Sequence, residues 1–377
     1  MTRHGARPDP GRSVLIMAGG TGGHVFPGLA VARRLREQSV NVVWLGTREG
    51  IEARVVPPAG IEIEYIQIRG LRGGGVLRWL LLPLRLNVAM LQAFRILRRR
   101  RPDAVLAMGG FAAGPGGMMA SLLGIPLVVH EQNAIPGFTN RLLARLADRV
   151  LCAFPAAFGG LAKAYHVGNP VRREIAQLPA PGERLANRRG RLRLLIVGGS
   201  QGATVFNEVM PEAIRSMPES ERPEVWHQCG RDNLTTVQQQ YESRIMNHES
   251  RVRVSEFIDD MAAAYRSARL AVCRAGATTV AELCATGTPA VFVPFPFAAG
   301  DHQMGNARAL EEALERLLGD PEKLNSMAER AASLRRPGSA ARVLDVVLSV
   351  AGARDAPVPS DATSMPWPST SSSRGRP

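Results

Sequence analysis

A chain of 377 residues is long enough for two ordinary domains, and its 45% apolar content supports a buried core in each. Its formal charge of +14, from 47 Lys and Arg against 33 Asp and Glu, would suit nucleic acid, an anionic membrane surface or a phosphorylated substrate. Aromatic residues make up only 5%, and basic–aromatic interleaving, zinc-finger spacing and helix-turn-helix patterns are all missing, so no nucleic-acid partner is expected.

In chain order, the N-terminal MTRHGARPDPGRS lacks the apolar core of a signal peptide, and no uncharged run is long enough to span a bilayer. A cytosolic protein is expected. The apolar run Val14 to Met17 then reads as a buried parallel strand that breaks into Gly19-Gly20-Thr21-Gly22-Gly23-His24. Pro27 sits where a first helical turn would begin, and Leu29, Ala32 and Leu35 recur at helical spacing. Such a strand–turn–helix unit brings bare backbone close to a ligand and aims free N–H groups at it, which suits phosphate. The same logic recurs at 194–203, LLIVGGSQGA.

Between and beyond these units, strands are expected at 13–18, 41–46, 63–68, 104–108, 126–130, 149–153 and 164–168. A second set follows at 193–198, 224–228, 252–257, 269–273 and 290–294. Helices fall at 27–38, 84–100, 116–123, 137–147, 204–216, 232–246, 260–267 and 278–286. This alternation means α/β architecture, parallel sheets with helices on both faces. The Pro-, Gly- and charge-rich 178–191 marks a domain boundary, and the low-complexity 352–377 a disordered tail. Cys152, Cys229, Cys273 and Cys284 lack CxxC spacing and are expected as reduced core residues.

One stretch stands apart, VLRWLLLPLRLNVAMLQAFRILRRRR at 76–101. Leu86, Ala89, Met90, Ala93 and Leu97 form one helical face, with Arg85, Gln92, Arg95 and Arg99 opposite. That pattern fits a core helix. The apolar cluster before it, with Val76, Trp79 and Leu80, fits a membrane-surface patch ringed by basic residues, or packing.

The first glycine turn matches neither G-x-x-x-x-G-K-[ST] nor G-x-G-x-x-G, and no acid after the second strand is placed for an NAD ribose, so a dehydrogenase is the lesser reading. A third glycine turn, GGFAAGPGG at 109–117, again follows a strand. Three such turns on two halves point to a cleft handling phosphates.

In this order, GGTGGHVFPGLAVA, WLGT, IRGLRG, HEQNAIPGFTNRLLA, VGNPVR, VGGSQGA, EFIDDMAAAY, CRAGATTVAEL and VPFPFAAGDHQ closely resemble the MurG family of peptidoglycan glycosyltransferases, over about residues 13–306. The resemblance implies a GT-B fold, two Rossmann-like domains whose parallel sheets face a central cleft. Residues 13–178 would bind the acceptor and the membrane, and 191–350 the UDP-sugar donor. The implied activity is inverting transfer of N-acetylglucosamine from UDP-GlcNAc to the muramyl 4-hydroxyl of undecaprenyl-linked lipid I, forming lipid II. The implied place is the cytoplasmic face of the cell membrane, bound peripherally to anionic lipid, among other cell-wall synthesis proteins. There is no Asp-x-Asp clamp, since Asp259 and Asp260 are adjacent. No cofactor and no essential metal is expected, with helix N-terminal amides and an arginine taking the electrostatic task.

By resemblance, His24 is the general base or positions it. A helix dipole disfavours imidazolium there, although a structural histidine would fit the same pattern. Glu131 is a second catalytic candidate, and Thr21, Gly22 and Gly23 line the substrate site. Asn133 contacts the donor sugar, and Arg172 meets the donor phosphates through its forked donors. Ser200 in the second glycine turn offers its hydroxyl and amide to the diphosphate, Ile258 presents backbone to uracil, and Ala277, Thr278 and Thr279 open the helix carrying Glu282. That glutamate would accept from the ribose hydroxyls, or close a capping box with Thr279. Gln303 matches a sugar-contacting glutamine. After Asn306-Ala307-Arg308 the family pattern fails: Ala309-Leu310-Glu311 runs directly into EALERLLGDPEKL, as if a strand-and-loop unit were missing. The alternative that follows is a catalytically impaired, membrane-peripheral UDP-sugar-binding protein.

Overall fold

The computed structural model describes residues 11–68, 82–185, 191–199, 203–244, 251–293 and 313–352. The chain divides into two compact units, at Arg172/Arg173 and again at Pro337/Gly338, where it returns to the first unit. All twelve expected strands form. In the first unit these are β1 (Ser13–Ala18), β2 (Asn41–Gly46), β3 (Glu62–Tyr65), β4 (Ala104–Gly109), β5 (Leu127–Glu131), β6 (Arg149–Cys152) and β7 (Ala164–His166). They make a parallel sheet in the order β3-β2-β1-β4-β5-β6-β7.

Both faces of this sheet are covered, which is why β1 reads as a continuous apolar run rather than an alternating one. Val14 and Ile16 enter one core layer with Val25, Leu29 and Leu35 of the helix Gly22–Glu37. Leu15 and Met17 enter the other with Ala89, Ile96 and Leu97 of the helix Leu82–Arg100. The order reverses between β1 and β4, the switch point where open α/β sheets place their ligands.

The first helix starts five residues earlier than the sequence pattern indicates. It begins at Gly22, with Thr21 as N-cap, and Pro27 lies inside it. Thr21 supplies the cap through its carbonyl, which accepts from the N–H groups of His24 (3.2 Å) and Val25 (3.3 Å). The glycine turn is therefore partly the helix's own first turn, and His24 belongs to that turn.

The second unit holds β8 (Arg193–Val197), β9 (Glu224–Gln228), β10 (Val252–Ser255), β11 (Leu270–Cys273) and β12 (Ala290–Phe292), parallel in the order β10-β9-β8-β11-β12. Its core gathers Leu194, Ile196, Phe206, Met210, Tyr241, Leu270 and Val272. Among the described residues β10 and β12 are the sheet's two edges. The junction at 309–311, where the family pattern fails, lies outside the described residues, as do the tail 353–377 and the patch residues Val76, Trp79 and Leu80.

Two boundaries differ from the sequence-based expectation. The stretch 173–185 belongs to the second unit and does not act as a passive linker. Arg184 there donates from Nη1 to the carbonyl of Tyr265 (2.6 Å) and from Nη2 to that of Thr286 (3.0 Å). A guanidinium at the C-terminal ends of the helices Met261–Ser267 and Ala277–Thr286 satisfies carbonyls that no further turn can reach. At the other end, the helix Ser339–Gly352 does not extend the second domain to residue 350. Its Val343, Leu344, Val346, Val347 and Val350 complete the core of the first unit beside the helix Gly22–Glu37. Arg342 of that helix also donates to the carbonyl of Val167 (2.8 Å).

Candidate active site

In the first unit, the turns after β1 and β4 are built against each other. The N–H of Gly19 donates to the carbonyl of Gly109 (3.3 Å). A Cβ on Gly110, whose φ is +88°, would lie 2.2 Å from the carbonyl oxygen of Gly19. A Cβ on Gly109, at φ +108°, would meet the His24 ring at 2.9 Å. Both positions thus require glycine on conformational and steric grounds. Further along, Gly116 and Gly117 let the helix Ala113–Leu122 approach Met17 and Leu143. In the third glycine turn these glycines serve close packing and the seating of His24.

His24 is half-buried, and its Nδ1 lies 2.9 Å from Oε1 of Gln132. Gln132 is buried, and its Nε2 reaches Nδ1 of His130 (3.1 Å) and the His130 carbonyl (3.3 Å). His130 Nε2 in turn meets the carbonyl of Gly168 (3.1 Å). Burial pushes His130 down to about 4, so the ring is neutral; the Gly168 bond and the charge of Glu131 oppose that shift only partly.

Glu131 ends β5, fully buried. Its Oε1 accepts from the N–H and Nδ2 of Asn133 (2.9 Å each), and its Oε2 from the N–H of Gly137 (3.1 Å) and Nδ2 of Asn140 (2.9 Å). Four donors fill the lone-pair sites of a carboxylate. This geometry gives Glu131 the task of ordering residues 133–140 and leaves it no open lone pair for a substrate proton. Asn133 is exposed at the head of that loop, with its amide nitrogen committed to Glu131.

Glu52 is a site residue that sequence reasoning missed. It is fully buried behind the first turn, where Oε2 accepts from the N–H of Gly20 (3.0 Å) and Oε1 from the N–H and hydroxyl of Thr47 (2.8 Å each). Its neighbours Gly19, Gly46 and Gly50 would each clash with it if they carried a Cβ. An isolated acid after the second strand is weak signal; glycines on three sides of it are the signal that could have found it. Arg172, at the end of the first unit, places its guanidinium 4.7 Å from the ring centroid of Phe26, one turn along from the glycine turn.

In the second unit, Gln228 at the end of β9 is the corresponding brace, and sequence reasoning missed it too. Its Nε2 donates to the carbonyl of Gly199 (2.7 Å) and its Oε1 accepts from the N–H of Ile258 (3.2 Å). One buried amide thereby ties the second glycine turn to the loop that carries Ile258. Glu282 is buried on the helix Ala277–Thr286 and accepts from the hydroxyl of Tyr265 (3.1 Å). The N-cap of this helix is Gly276, so Thr279 lies within the first turn and the capping-box reading of Thr279 and Glu282 does not hold. Ala277, Thr278 and Thr279 are the first-turn residues of this helix. Asp260 caps the helix Met261–Ser267 by accepting from the N–H of Ala263 (2.9 Å). Ser200 and Gln303 lie outside the described residues. The four cysteines are free thiols, and burial raises Cys152 to about 11 and Cys273 to about 12.

Residues 14–152 match the glycosyltransferase family 28 N-terminal domain, and residues 193–337 match the glycosyltransferase family 28 C-terminal domain. The chain is 50% identical over 366 residues to the UDP-N-acetylglucosamine--N-acetylmuramyl-(pentapeptide) pyrophosphoryl-undecaprenol N-acetylglucosamine transferase of Thiobacillus denitrificans, covering 90% of this chain and 98% of that one. It is 51% identical over 360 residues to the protein of the same description from Alkalilimnicola ehrlichii, covering 90% of this chain and 99% of that one. Among solved structures, it resembles the Acinetobacter baumannii MurG crystal structure with a TM-score of 0.69 and 37% identity, over 89% of this chain and 99% of that one.

Proposed function

The chain belongs to glycosyltransferase family 28, with the GT-B fold, and from this we infer that it moves N-acetylglucosamine from UDP-GlcNAc to lipid I, making lipid II for peptidoglycan. The observation that carries the reading is half-identity to the named transferases across nearly their whole length. The same coverage disfavours the alternative of an impaired sugar-nucleotide-binding protein.

In the proposed step, the acceptor's 4-hydroxyl oxygen attacks the anomeric carbon, His24 takes its proton, and UDP leaves with the bonding pair. Support for His24 comes from its place in the first turn of the helix Gly22–Glu37 and from the seat that Gly109 makes for its ring. Glu131, saturated by its four donors, supports the loop that carries Asn133. Arg172 and the first-turn amides of Ala277, Thr278 and Thr279 would meet the developing charge on the diphosphate without an essential metal. Glu282 would hold the ribose and the Ile258 backbone the uracil. The test is sugar transfer to a lipid I analogue, with and without chelator. His24→Ala is expected to lower kcat about 10²-fold or more with folding intact. Near wild-type turnover would remove His24 from the chemistry, and loss of the wild-type rate on chelation would overturn the metal-free step.

Peripheral attachment to the cytoplasmic face of the membrane belongs to the same proposal. Among the described residues no helix is long and apolar enough to cross a membrane. The helix Leu82–Arg100 buries Ala89, Ala93 and Leu97 yet leaves Leu84, Val88 and Leu91 exposed as a second stripe. Arg85, Arg95 and Arg98 are exposed on the same helix, whereas Arg99 and Arg100 are paired with Glu62 and Glu64 of β3. An apolar stripe with basic neighbours suits anionic lipid. The full chain is expected to sediment with phosphatidylglycerol vesicles and not with phosphatidylcholine, and L84D/L91D to abolish this. Equal binding of both lipids would count against it.

A further inference from the structure

The polar chain running from Gly168 to His24 has a direction, and that direction fixes where a proton sits. A carbonyl only accepts, so the 3.1 Å contact between Gly168 and His130 Nε2 puts a hydrogen on Nε2. A neutral His130 then carries a bare Nδ1, which accepts from Gln132 Nε2 (3.1 Å). The other hydrogen of that amide goes to the His130 carbonyl (3.3 Å), a second acceptor that fixes which end of the Gln132 amide is nitrogen. Oε1 of Gln132 is therefore the atom that faces His24 Nδ1 at 2.9 Å, and an amide oxygen only accepts.

We propose that Gln132, set in orientation by His130 and Gly168, is a positioning residue that holds His24 with its hydrogen on Nδ1 and presents bare Nε2 as the nitrogen that receives the acceptor's proton. This rests on the reading of His24 as the base. The His130 and Gln132 end of the wiring is interior, with His130 fully buried and Gln132 1% exposed, while His24 itself is half-buried. Asn140 closes the set on one side, donating from Nδ2 to the His130 carbonyl (3.2 Å) and to Glu131 (2.9 Å). On the other, Nδ2 of Asn169 lies 3.4 Å from the Gln132 carbonyl. The charged and titratable groups that face His130 are Glu131 on its own strand and His24 across the turn, and the neutral state of His130 follows mainly from burial. A free imidazole side chain in water prefers its hydrogen on Nε2, the form that would leave His24 nothing with which to accept a proton there.

The test is long-range proton–nitrogen NMR on the full chain labelled with nitrogen-15 histidine, with His24 assigned by comparison with a His24→Gln spectrum. In the wild type, above neutral pH, His24 Nδ1 is expected to read as protonated and Nε2 as bare. The reverse pattern overturns the proposal without any variant having to fold. Gln132→Met keeps the length and removes both polar ends; it is expected to move His24 toward the Nε2–H form and to lower kcat about tenfold or more with KM changed less than about twofold. A His24 tautomer unchanged in Gln132→Met also overturns it. Failure of the underlying reading looks different: His24→Ala would keep wild-type turnover while the wild-type spectrum still showed Nδ1–H.

Discussion

The glycine turns after β1 and β8 are braced from behind by different chemistry. Behind the first, the Glu52 carboxylate takes the N–H of Gly20 and both donors of Thr47. Behind the second, the Gln228 amide takes the carbonyl of Gly199 and the N–H of Ile258. A buried carboxylate gives strong, charge-assisted bonds and leaves a negative charge behind the turn. A buried amide gives weaker bonds and no charge. The charged brace stands where a neutral alcohol is proposed to react, and the uncharged brace where a diphosphate is proposed to bind. The two similar units thus brace their glycine turns with one buried side chain each, a carboxylate in the first and an amide in the second.

The largest effect should come from removing the charged brace. Glu52→Ala leaves the Gly20 and Thr47 amides without their acceptor and is expected to cost about 3 kcal/mol of first-unit stability, seen as a lower melting temperature and lost transfer. UDP affinity should stay within about twofold, since the second unit keeps its own brace. A large loss of UDP affinity in this variant would break the comparison. Next in size, Gln228→Leu is expected to weaken UDP binding about tenfold by calorimetry, equivalent to roughly 1.4 kcal/mol, with hydrogen-exchange protection of the first unit unchanged. Unchanged UDP affinity would reduce Gln228 to a packing role.

A third effect, absent at neutral pH, is a pH slope shared by the two units. Each holds a histidine neutral by burial, His130 at about 4 and His227 at about 3. In an unfolded chain both titrate near ~6.5. Between those values the unfolded chain binds a proton that the folded one does not, so stability falls as pH falls, by about 1.4 kcal/mol per pH unit for each histidine. The loss begins near about pH 6.5 and levels off below the folded values. The two rings differ in wiring. His130 has both nitrogens engaged, whereas His227 pairs Nδ1 with the hydroxyl of Tyr241 (3.1 Å) and its buried Nε2 has no hydrogen-bond partner among the described residues. Urea titrations between pH 7.5 and 5 should show the slope, and His227→Leu should remove about half of it, with a pH-independent cost of about 1–3 kcal/mol from the Tyr241 hydroxyl it leaves behind. A variant with the full slope would assign the effect elsewhere.

Much of the frame is legible in the sequence. The strands are runs of apolar residues closed by glycine or polar turns, and sheets covered on both faces leave that mark directly in the residue pattern. The glycine turns are legible as turns, and HEQN as a polar strand end. The start of the first helix is not, because a proline in its second turn looks like a proline at its first position. Glu282 looks like half of a capping box because the spacing alone cannot say whether Gly276 or Thr279 is the cap. Glu131 looks like a second catalytic candidate because its donors come from a loop that the strand pattern does not describe.

The sequence by itself determined the two α/β units, the parallel strands and the glycine turns at their ends, because each depends on the polarity and shape of residues close together in the chain. Only the tertiary structure decided which buried polar groups meet. Gly20 finds Glu52 across 32 positions, Ile258 finds Gln228 across 30, and His24 finds Gln132 across 108. The return of the helix Ser339–Gly352 to the first unit is of the same kind. Burying an apolar side chain needs only an apolar surround, which many neighbours supply, whereas a buried donor or acceptor needs one partner at one distance and angle. That partner is chosen by which strand ends the sheet order brings side by side.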